Sequence, residues 1–158
     1  MDKHAVSLYG YVLMSNHIHL LLSALTAKGL EQCIQHTLRK SSLRITESLQ
    51  YFAGIQPDPP QYVSNLPTFN PQYADRAREI LDVFASHTNG QAQYAVWKEQ
   101  ARGIPLQTQK AFQVKLDYIH MNPVRAEIVT APEDYAYSSF RSIYLDEPGH
   151  LPVSFPEW

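Results

Sequence analysis

Runs of β-branched and aromatic residues predict a β-hairpin near the start of the chain. The segment 6–14 (VSLYGYVLM) is such a run, and the segment 17–23 (HIHLLLS) follows it after the polar pair Ser15 and Asn16. Two short apolar runs separated by a polar break are typical of antiparallel strands joined by a turn. The sequence therefore predicts strands at 6–14 and 17–23.

Apolar residues at helical spacing predict two helices in the middle of the chain. The first covers residues 29–50, and we expect a break near Ser41 and Ser42. The proline-rich segment 54–71 is expected to be an extended connector. The second helix covers residues 71–87 and begins with a proline, which suits the first turn of a helix.

The second half of the chain is predicted to contain a strand, a helix and an irregular end. The strand lies at 93–98 and the helix begins at about Thr108. We expect this helix to stop at Asn122, because Pro123 disfavours helical geometry in the residue before it. After Glu127 the chain is rich in tyrosine and proline, and an irregular tail is expected.

Length and composition indicate an ordinary globular protein. The chain has 158 residues, of which 44% are hydrophobic and 18% are charged. These values suit one domain with a real core and exclude disordered and collagen-like classes. We expect the domain to occupy residues 1–145 and the irregular tail residues 146–158.

The cysteine content and the length of the apolar runs limit the cellular locations that the sequence predicts. Cys33 is the single cysteine, which excludes an intramolecular disulfide and a cysteine-cluster zinc site. A reducing, cytoplasmic location is the default expectation. The longest apolar runs are far shorter than the roughly 20 residues that cross a bilayer, and no signal peptide is recognisable. We therefore expect no membrane partner.

Net charge is misleading until it is divided along the chain. The formal net charge of −2 argues against a nucleic-acid partner, because phosphate groups are bound chiefly by Lys and Arg. However, residues 1–125 hold 12 basic and 9 acidic residues, whereas residues 126–158 hold 1 and 6. A local phosphate-binding surface is therefore compatible with the sequence, and salt should weaken its binding. The candidate DNA-binding residues are Arg39, Lys40, Arg44, Lys115 and Arg125.

His17 and His19 are the first candidates for chemistry. Alternate residues of a strand lie on the same face, so the two imidazoles should lie side by side. Such a pair is half of a metal site, although most His-x-His pairs are structural or coincidental.

Tyr118 and Asn122 form a second candidate pair, one helical turn apart on the last predicted helix. An asparagine oxygen can join two imidazoles around a hard divalent cation and leave positions open for phosphate oxygens. A cation beside a phenol favours the phenolate and polarises a phosphodiester. The alternative is that Tyr118 packs in the core and Asn122 caps the helix.

Four segments of the chain, taken together and in order, resemble HUH-type single-tyrosine transposases. The branch that they resemble most is that of the REP-associated tyrosine transposases, which act on palindromic repeats. A His-x-His pair alone is unspecific, but NHIHLLL followed about a hundred residues later by YIHMNPVRA is a strong joint signal. The segments are YGYVLMSNHIHLLLS, VWKEQARGIPL, KLDYIHMNPVRAEIV and PEDYAYSSFRSIY.

The resemblance implies both a fold and a mechanism. The implied fold is α/β (α+β) with a ferredoxin-like antiparallel sheet. The implied metal is magnesium or manganese, held by His17 and His19, with Asn122 as a further ligand. The implied nucleophile is Tyr118, which attacks single-stranded DNA and leaves a 5′-phosphotyrosine link with a free 3′-hydroxyl. The implied activity is cleavage and strand transfer at DNA hairpins. His120 belongs to the same motif but lies roughly 200° around the helix from Tyr118, and we interpret it as structural.

The sequence departs from the family pattern at two places. Family members carry a strand and a helix before the hairpin, and without that strand the histidine strand has an open edge. Three explanations compete: a start further upstream, a decayed gene, or a homodimer in which the partner fills the gap. Glu127 stands where the family usually has glycine, and we expect a local effect.

Three functions remain compatible with the sequence. The leading hypothesis is a metal-dependent transposase that cleaves and joins single-stranded DNA. The second is a module that binds hairpin DNA without cutting it. A metal-dependent hydrolase acting on a small molecule is the weakest, because no carboxylate lies close to His17 and His19 in sequence. Aromatic residues that could stack on unpaired bases, although packing is their commoner role, are Tyr94, Trp97, Tyr135 and Tyr137.

Overall fold

The protein has an α+β structure with a two-stranded antiparallel sheet. A computed structural model describes residues 6–62, 70–88, 90, 93–97 and 103–157, and the following elements belong to that part of the chain. Single turns of 3-10 helix lie at Pro71–Tyr73 and Pro132–Asp134. The strands and α-helices are β1 (Val6–Leu13), β2 (Ile18–Ala24), α1 (Ala27–Phe52), α2 (Ala74–Ser86), α3 (Gln109–His120), α4 (Asn122–Arg125) and α5 (Phe140–Tyr144).

The chain forms two compact units. The first unit comprises residues 1–33 and 103–158, and the second comprises residues 34–102. The first unit contains the hairpin and α3 to α5, whereas the second contains most of α1 and all of α2. Each unit has its own cluster of buried apolar residues.

The predicted hairpin is confirmed. β1 and β2 pair antiparallel, with Val12 opposite His19 and Tyr11 opposite Leu20. The connecting turn is closed by a hydrogen bond of 2.9 Å from the Met14 amide to the His17 carbonyl. Among the described residues, β2 pairs with β1 alone.

The core of the first unit lies between the hairpin and α3. Buried apolar side chains from both sides form it: Val12 and Leu21 from the sheet, Leu116 and Ile119 from α3. Gly10 permits the close approach, because a Cβ atom there would lie 2.6 Å from the Leu116 side chain. The spacing of Leu116 and Ile119 thus fixes which face of α3 meets the sheet.

The end of the chain has more structure than the sequence predicts. The Ser139 amide donates to the Tyr11 carbonyl, and the Leu13 amide donates to the Tyr137 carbonyl. Residues 137–139 therefore lie along the edge of β1 that β2 does not occupy. Further on, the Ser154 amide donates to the Leu8 carbonyl. The expectation of an irregular segment after Glu127 thus misses the 3-10 turn at Pro132–Asp134, the helix α5 and this edge contact.

The boundaries of α3 follow the sequence signals closely. The Thr108 hydroxyl caps the helix by accepting a hydrogen bond from the Ala111 amide, and the helix ends at His120. Pro123 lies in the first turn of the short helix α4, where a missing amide hydrogen costs nothing. After α4 the backbone of Glu127 has a φ of 56°, in the left-handed region. This is the position at which the transposase pattern has glycine.

The second unit differs from its prediction in two places. The helix α1 is continuous, so the break expected near Ser41 is absent. The Ser41 hydroxyl donates to the Thr37 and Leu38 carbonyls of the same helix. The strand predicted at 93–98 is not formed by residues 93–97, and Lys98 lies outside the described residues. The core here consists of Ala53, Ala77 and Leu81, with Leu49, Phe52 and Tyr94 packed against it.

None of the helices in the described ranges has the length and apolar character needed to span a membrane.

Candidate functional site

His17 and His19 lie side by side, as the strand periodicity predicts. Their ring centres are 4.9 Å apart and their planes are nearly perpendicular. His19 is opposite Val12 in the hairpin and so lies on the face that packs against α3. Leu20, on the opposite face, is 39% exposed. The hairpin therefore directs His19 toward α3, and His17, the residue before β2, lies beside it.

Tyr118 approaches this pair from α3. Its ring centre is 6.0 Å from that of His19, in an edge-to-face arrangement. Tyr118 is 42% exposed, so this residue belongs to the surface rather than to the core. The structure thus brings together three candidate residues that are about a hundred positions apart in sequence.

Two basic side chains flank Tyr118. The Lys115 ammonium lies 5.3 Å from the centre of the Tyr118 ring, and the Arg125 guanidinium carbon lies 4.8 Å from it. Lys115 is one turn earlier on α3, and Arg125 is the last residue of α4. Both residues were candidates for phosphate contacts on sequence grounds alone. Their position gives the site a positive field that suits a phosphate group.

The nearest acidic residue on α3 is engaged elsewhere. The Asp117 carboxylate accepts hydrogen bonds from the Tyr144 hydroxyl, at 2.9 Å, and from the Gln113 amide, at 2.8 Å. Burial, together with the hydrogen bond to Asp117, raises the pKa of Tyr144, so this phenol remains the donor. Asp117 therefore ties α3 to α5.

The electrostatics of the site favour a neutral His19. Burial lowers its pKa, and the neighbouring His17 and the Lys115 ammonium lower it further. A neutral imidazole keeps one nitrogen lone pair, which can bind a metal ion or accept a hydrogen bond.

Asn122 caps the helix and also leaves one atom for a ligand. Its amide nitrogen donates to the Tyr118 carbonyl at 3.1 Å and to the Ile119 carbonyl at 3.3 Å. The capping role expected as the alternative is therefore present. The side-chain oxygen of Asn122 is the atom that remains for a metal ion, and a helical turn separates this residue from Tyr118.

The donor set fits a hard divalent cation. Ring centres 4.9 Å apart allow one nitrogen of His17 and one of His19 to reach the same ion with bonds of about 2 Å. The Asn122 side-chain oxygen is a hard donor on the residue one helical turn after Tyr118. All three donors are neutral, and no cluster of three or more His, Cys, Asp or Glu side chains suited to a metal occurs in the described ranges. The site therefore carries no negative charge of its own to attract a cation.

His120 is separate from this site. It is 2% exposed, and its Nε2 atom lies 2.8 Å from the Ser139 hydroxyl. That hydroxyl also accepts a hydrogen bond from the Tyr11 amide. Burial lowers the pKa of His120 to about 4. These contacts agree with the structural interpretation of His120.

The remaining basic candidates belong to the second unit. Arg39, Lys40 and Arg44 are exposed on α1, and no ion pair involves them in the part of the chain that the structure describes. The Arg44 guanidinium lies 4.9 Å from the centre of the Tyr62 ring.

The aromatic candidates divide into packed and exposed rings. The Trp97 indole nitrogen donates to the Leu38 carbonyl and the Ser41 hydroxyl, so this residue anchors its segment to α1. The Tyr135 hydroxyl donates to the Leu13 carbonyl. Tyr137 is 55% exposed and stacks on His150. Packing is therefore the observed role of Trp97 and Tyr135.

Sequence reasoning missed one residue beside the histidines. The Asn16 side-chain oxygen lies 2.6 Å from the Nδ1 atom of His17. The sequence signal for this contact is an asparagine directly before the first histidine, in a polar pair, Ser15 and Asn16, whose pattern predicts only a turn.

Comparison of the chain with protein-family models, with curated proteins and with solved structures gave no match.

Proposed function

We propose that this protein cleaves and rejoins single-stranded DNA through Tyr118, at or beside hairpins, with a divalent metal ion. The observation that carries the proposal is the convergence of three side chains on one phenol, with a second imidazole beside the first. His19 contacts the Tyr118 ring, His17 lies against His19, and two cations lie over the same ring. Phosphoryl transfer through a tyrosine needs a phenol as nucleophile and positive charge to stabilise the phosphate oxygens, and imidazoles can hold a metal ion that adds to that charge.

The resemblance to HUH-type single-tyrosine transposases supports the same function. The two motifs that carry it, NHIHLLL and YIHMNPVRA, lie on the hairpin and on α3 with α4. We propose that the hairpin and α3 form part of a ferredoxin-like fold. Leu116 and Ile119 support this arrangement, because they pack α3 onto one face of the sheet.

The proposed metal ion is Mg²⁺ or Mn²⁺, and His17, His19 and Asn122 would hold it. When bound, it polarises the phosphodiester and stabilises negative charge on its oxygens. Because the three ligands are neutral, phosphate oxygens complete a favourable site for the ion. Lys115 and Arg125 bind the same phosphate from the side of Tyr118.

The proposed reaction conserves the energy of one phosphodiester bond. The Tyr118 oxygen, having lost its proton to solvent, attacks the phosphorus and forms a tyrosine–phosphate bond. The bond from phosphorus to the 3′ oxygen breaks, and that oxygen takes a proton from solvent and leaves as a 3′-hydroxyl. A second 3′-hydroxyl reverses the step and joins a new strand, so water is not the nucleophile in either step.

A covalent adduct tests the proposal. The probe is a pool of single-stranded oligonucleotides, each with a stable hairpin and randomised flanks, incubated with the protein and Mn²⁺ or Mg²⁺. A fluorescent label at the 3′ end should migrate with the protein in a denaturing gel, because the 5′-phosphate remains on Tyr118. A label at the 5′ end should be released.

Tyr118→Phe should abolish the adduct, and Tyr73→Phe is the matched control. Tyr73 is an exposed tyrosine that is not part of the candidate site, so its variant should form the adduct normally. An adduct that persists in Tyr118→Phe would refute the assignment of the nucleophile. Hairpin binding without an adduct under either metal would refute cleavage and favour the module that only binds DNA.

A further inference from the structure

The turn of the hairpin contains a contact that constrains His17. The Asn16 side-chain oxygen lies 2.6 Å from His17 Nδ1, and both side chains are exposed. The turn itself is closed by the Met14 amide and the His17 carbonyl, at 2.9 Å. Neither residue has a positive φ. The contact is therefore made by side chains on an unstrained turn.

The chemistry of this contact allows one arrangement of the proton on a neutral ring. A side-chain amide oxygen can only accept a hydrogen bond, so His17 Nδ1 must carry the hydrogen and donate it. A neutral imidazole has one N–H group, and the lone pair then belongs to Nε2.

We propose that Asn16 is a positioning residue, which fixes the tautomer of His17 so that Nε2 is the nitrogen presented to a divalent cation. A neutral imidazole in water exchanges between two tautomers, of which only one presents an Nε2 lone pair. Histidine ligands of metal ions commonly donate their other ring N–H to an oxygen acceptor, which fixes both the tautomer and the ring orientation. Asn16 supplies that acceptor for His17.

The proposal has one part that stands alone and one part that depends on the proposed function. The tautomer of His17 is a property of the metal-free protein. The use of Nε2 toward a cation rests on the proposed function. The two parts are measured separately in the experiment below.

The first measurement is the tautomer. Two-bond proton–nitrogen correlation NMR spectra of the metal-free protein, recorded at about pH 8.5 where imidazoles are neutral, distinguish a protonated from an unprotonated ring nitrogen. In the wild type we expect His17 Nδ1 to carry the proton. In Asn16→Ala the signals should move toward a mixture of tautomers, whereas Asn16→Asp should keep the Nδ1–H form. An unchanged tautomer in Asn16→Ala would overturn the proposal.

The second measurement is the affinity for Mn²⁺ alone, by calorimetric titration without DNA. Loss of an outer hydrogen-bond partner typically weakens metal binding about 10- to 100-fold, and we expect this for Asn16→Ala. Asn16→Asp should retain most of the affinity because it keeps the acceptor oxygen. Ser15→Ala, on the same turn, should bind like the wild type.

The outcomes separate the two proposals. A changed tautomer with unchanged Mn²⁺ affinity in Asn16→Ala would overturn the positioning role while leaving the proposed function intact. A wild-type protein that binds no Mn²⁺, with or without hairpin DNA, would overturn both the positioning role and the metal of the proposed function. Thermal melting of each variant shows whether the hairpin still folds, and Asn16→Asp then distinguishes a lost acceptor from a damaged turn.

Discussion

The charge of Lys115 should repel a metal ion bound beside His19 and attract a phosphate group. Its ammonium lies over the Tyr118 ring and contributes to the lowered pKa of His19. The same charge that repels a proton from His19 repels a metal ion bound beside it. The charge also attracts a phosphate group. The residue should therefore oppose metal binding in the free protein and support the reaction once DNA is bound.

We predict that Lys115→Ala binds Mn²⁺ more tightly than the wild type in the absence of DNA, yet forms the hairpin adduct about 10-fold more slowly. The second effect corresponds to about 1.4 kcal/mol, within the range of a charge-assisted hydrogen bond. Calorimetry and adduct formation over time measure the two effects. Lys110→Ala, near the start of α3, is the control and should change neither. Slower adduct formation together with weaker Mn²⁺ binding would contradict the electrostatic argument.

His120 links the ionisation of one buried residue to the stability of the fold. Its pKa is about 4 in the folded protein, against an ordinary value of 6.5. The unfolded chain therefore binds a proton more readily, and the stabilising effect of a neutral His120 is lost as the pH falls from about 6.5 toward 4. Above about pH 6.5, His120 is neutral in both the folded and the unfolded protein, so its protonation no longer affects the free energy of unfolding.

We predict that the free energy of unfolding falls by about 2 kcal/mol between pH 7 and pH 5 because of His120. Urea denaturation at the two pH values measures this change. His120→Gln, which keeps a polar partner for Ser139, should remove most of the pH dependence. His36→Gln, an exposed histidine on α1, should retain it. Equal pH dependence in wild type and His120→Gln would show that His120 is not its source.

At the scale of elements, local patterns determined the parts of the fold that the sequence could predict. The hairpin and the start of α3 near Thr108 rest on short-range chemistry and are confirmed. The predicted end at Asn122 is two residues late, because α3 ends at His120 and Asn122 begins α4.

The continuity of α1 through Ser41 and the absence of a strand at 93–97 differ from the prediction. Trp97 instead contacts Leu38, 59 positions away in the sequence. Periodicity carries no information about such a contact.

In the candidate site, too, local patterns predict some features and miss others. Strand alternation predicted that the two histidines lie together, and helix geometry predicted that His120 faces away from Tyr118. The meeting of the hairpin with α3 was expected from the types of donor side chain and from the motif resemblance, because no local rule brings residues a hundred positions apart together. Asn16 was missed because its role depends on the rotamer of a turn side chain.

The junction after α4 offers a test of local backbone strain. Glu127 has a φ of 56°, which costs an L-residue with a side chain roughly 1–2 kcal/mol and costs glycine nothing. Replacing Glu127 with glycine removes this strain. Part of the resulting stabilisation is offset, because glycine has more conformational freedom in the unfolded chain. We predict that Glu127→Gly raises the free energy of unfolding by about 0.5–1 kcal/mol.

Urea denaturation at pH 7 measures the effect, and Glu133→Gly is the control. Glu133 is also exposed and lies in a 3-10 turn without a positive φ, so glycine there should destabilise the protein. Stabilisation of similar size at both positions would point to the lost negative charge, not to the backbone at Glu127.

For the whole molecule, the distribution of charge matters more than its sum. The net charge is −2, yet residues 1–125 hold 12 basic against 9 acidic residues. The basic candidates fall into two groups. Lys115 and Arg125 flank Tyr118 in the first unit, whereas Arg39, Lys40 and Arg44 lie on α1 in the second. The salt dependence of DNA binding distinguishes a protein that uses one group from a protein that uses both.

We predict that both groups contact phosphates of the same hairpin oligonucleotide. Each phosphate contact with a single strand contributes about −0.7 to the slope of log K against log salt concentration, so five contacts give about −3.5. Binding is measured by fluorescence anisotropy between about 50 and 200 mM NaCl, in a Tyr118→Phe background that prevents covalent trapping. The triple substitution Arg39→Ala, Lys40→Ala and Arg44→Ala should reduce the slope to about −1.4. Arg76→Ala, which removes an arginine already paired with Glu79, should leave it unchanged. If the triple variant keeps the wild-type slope, α1 does not contact the DNA and the binding surface is confined to the residues around Tyr118.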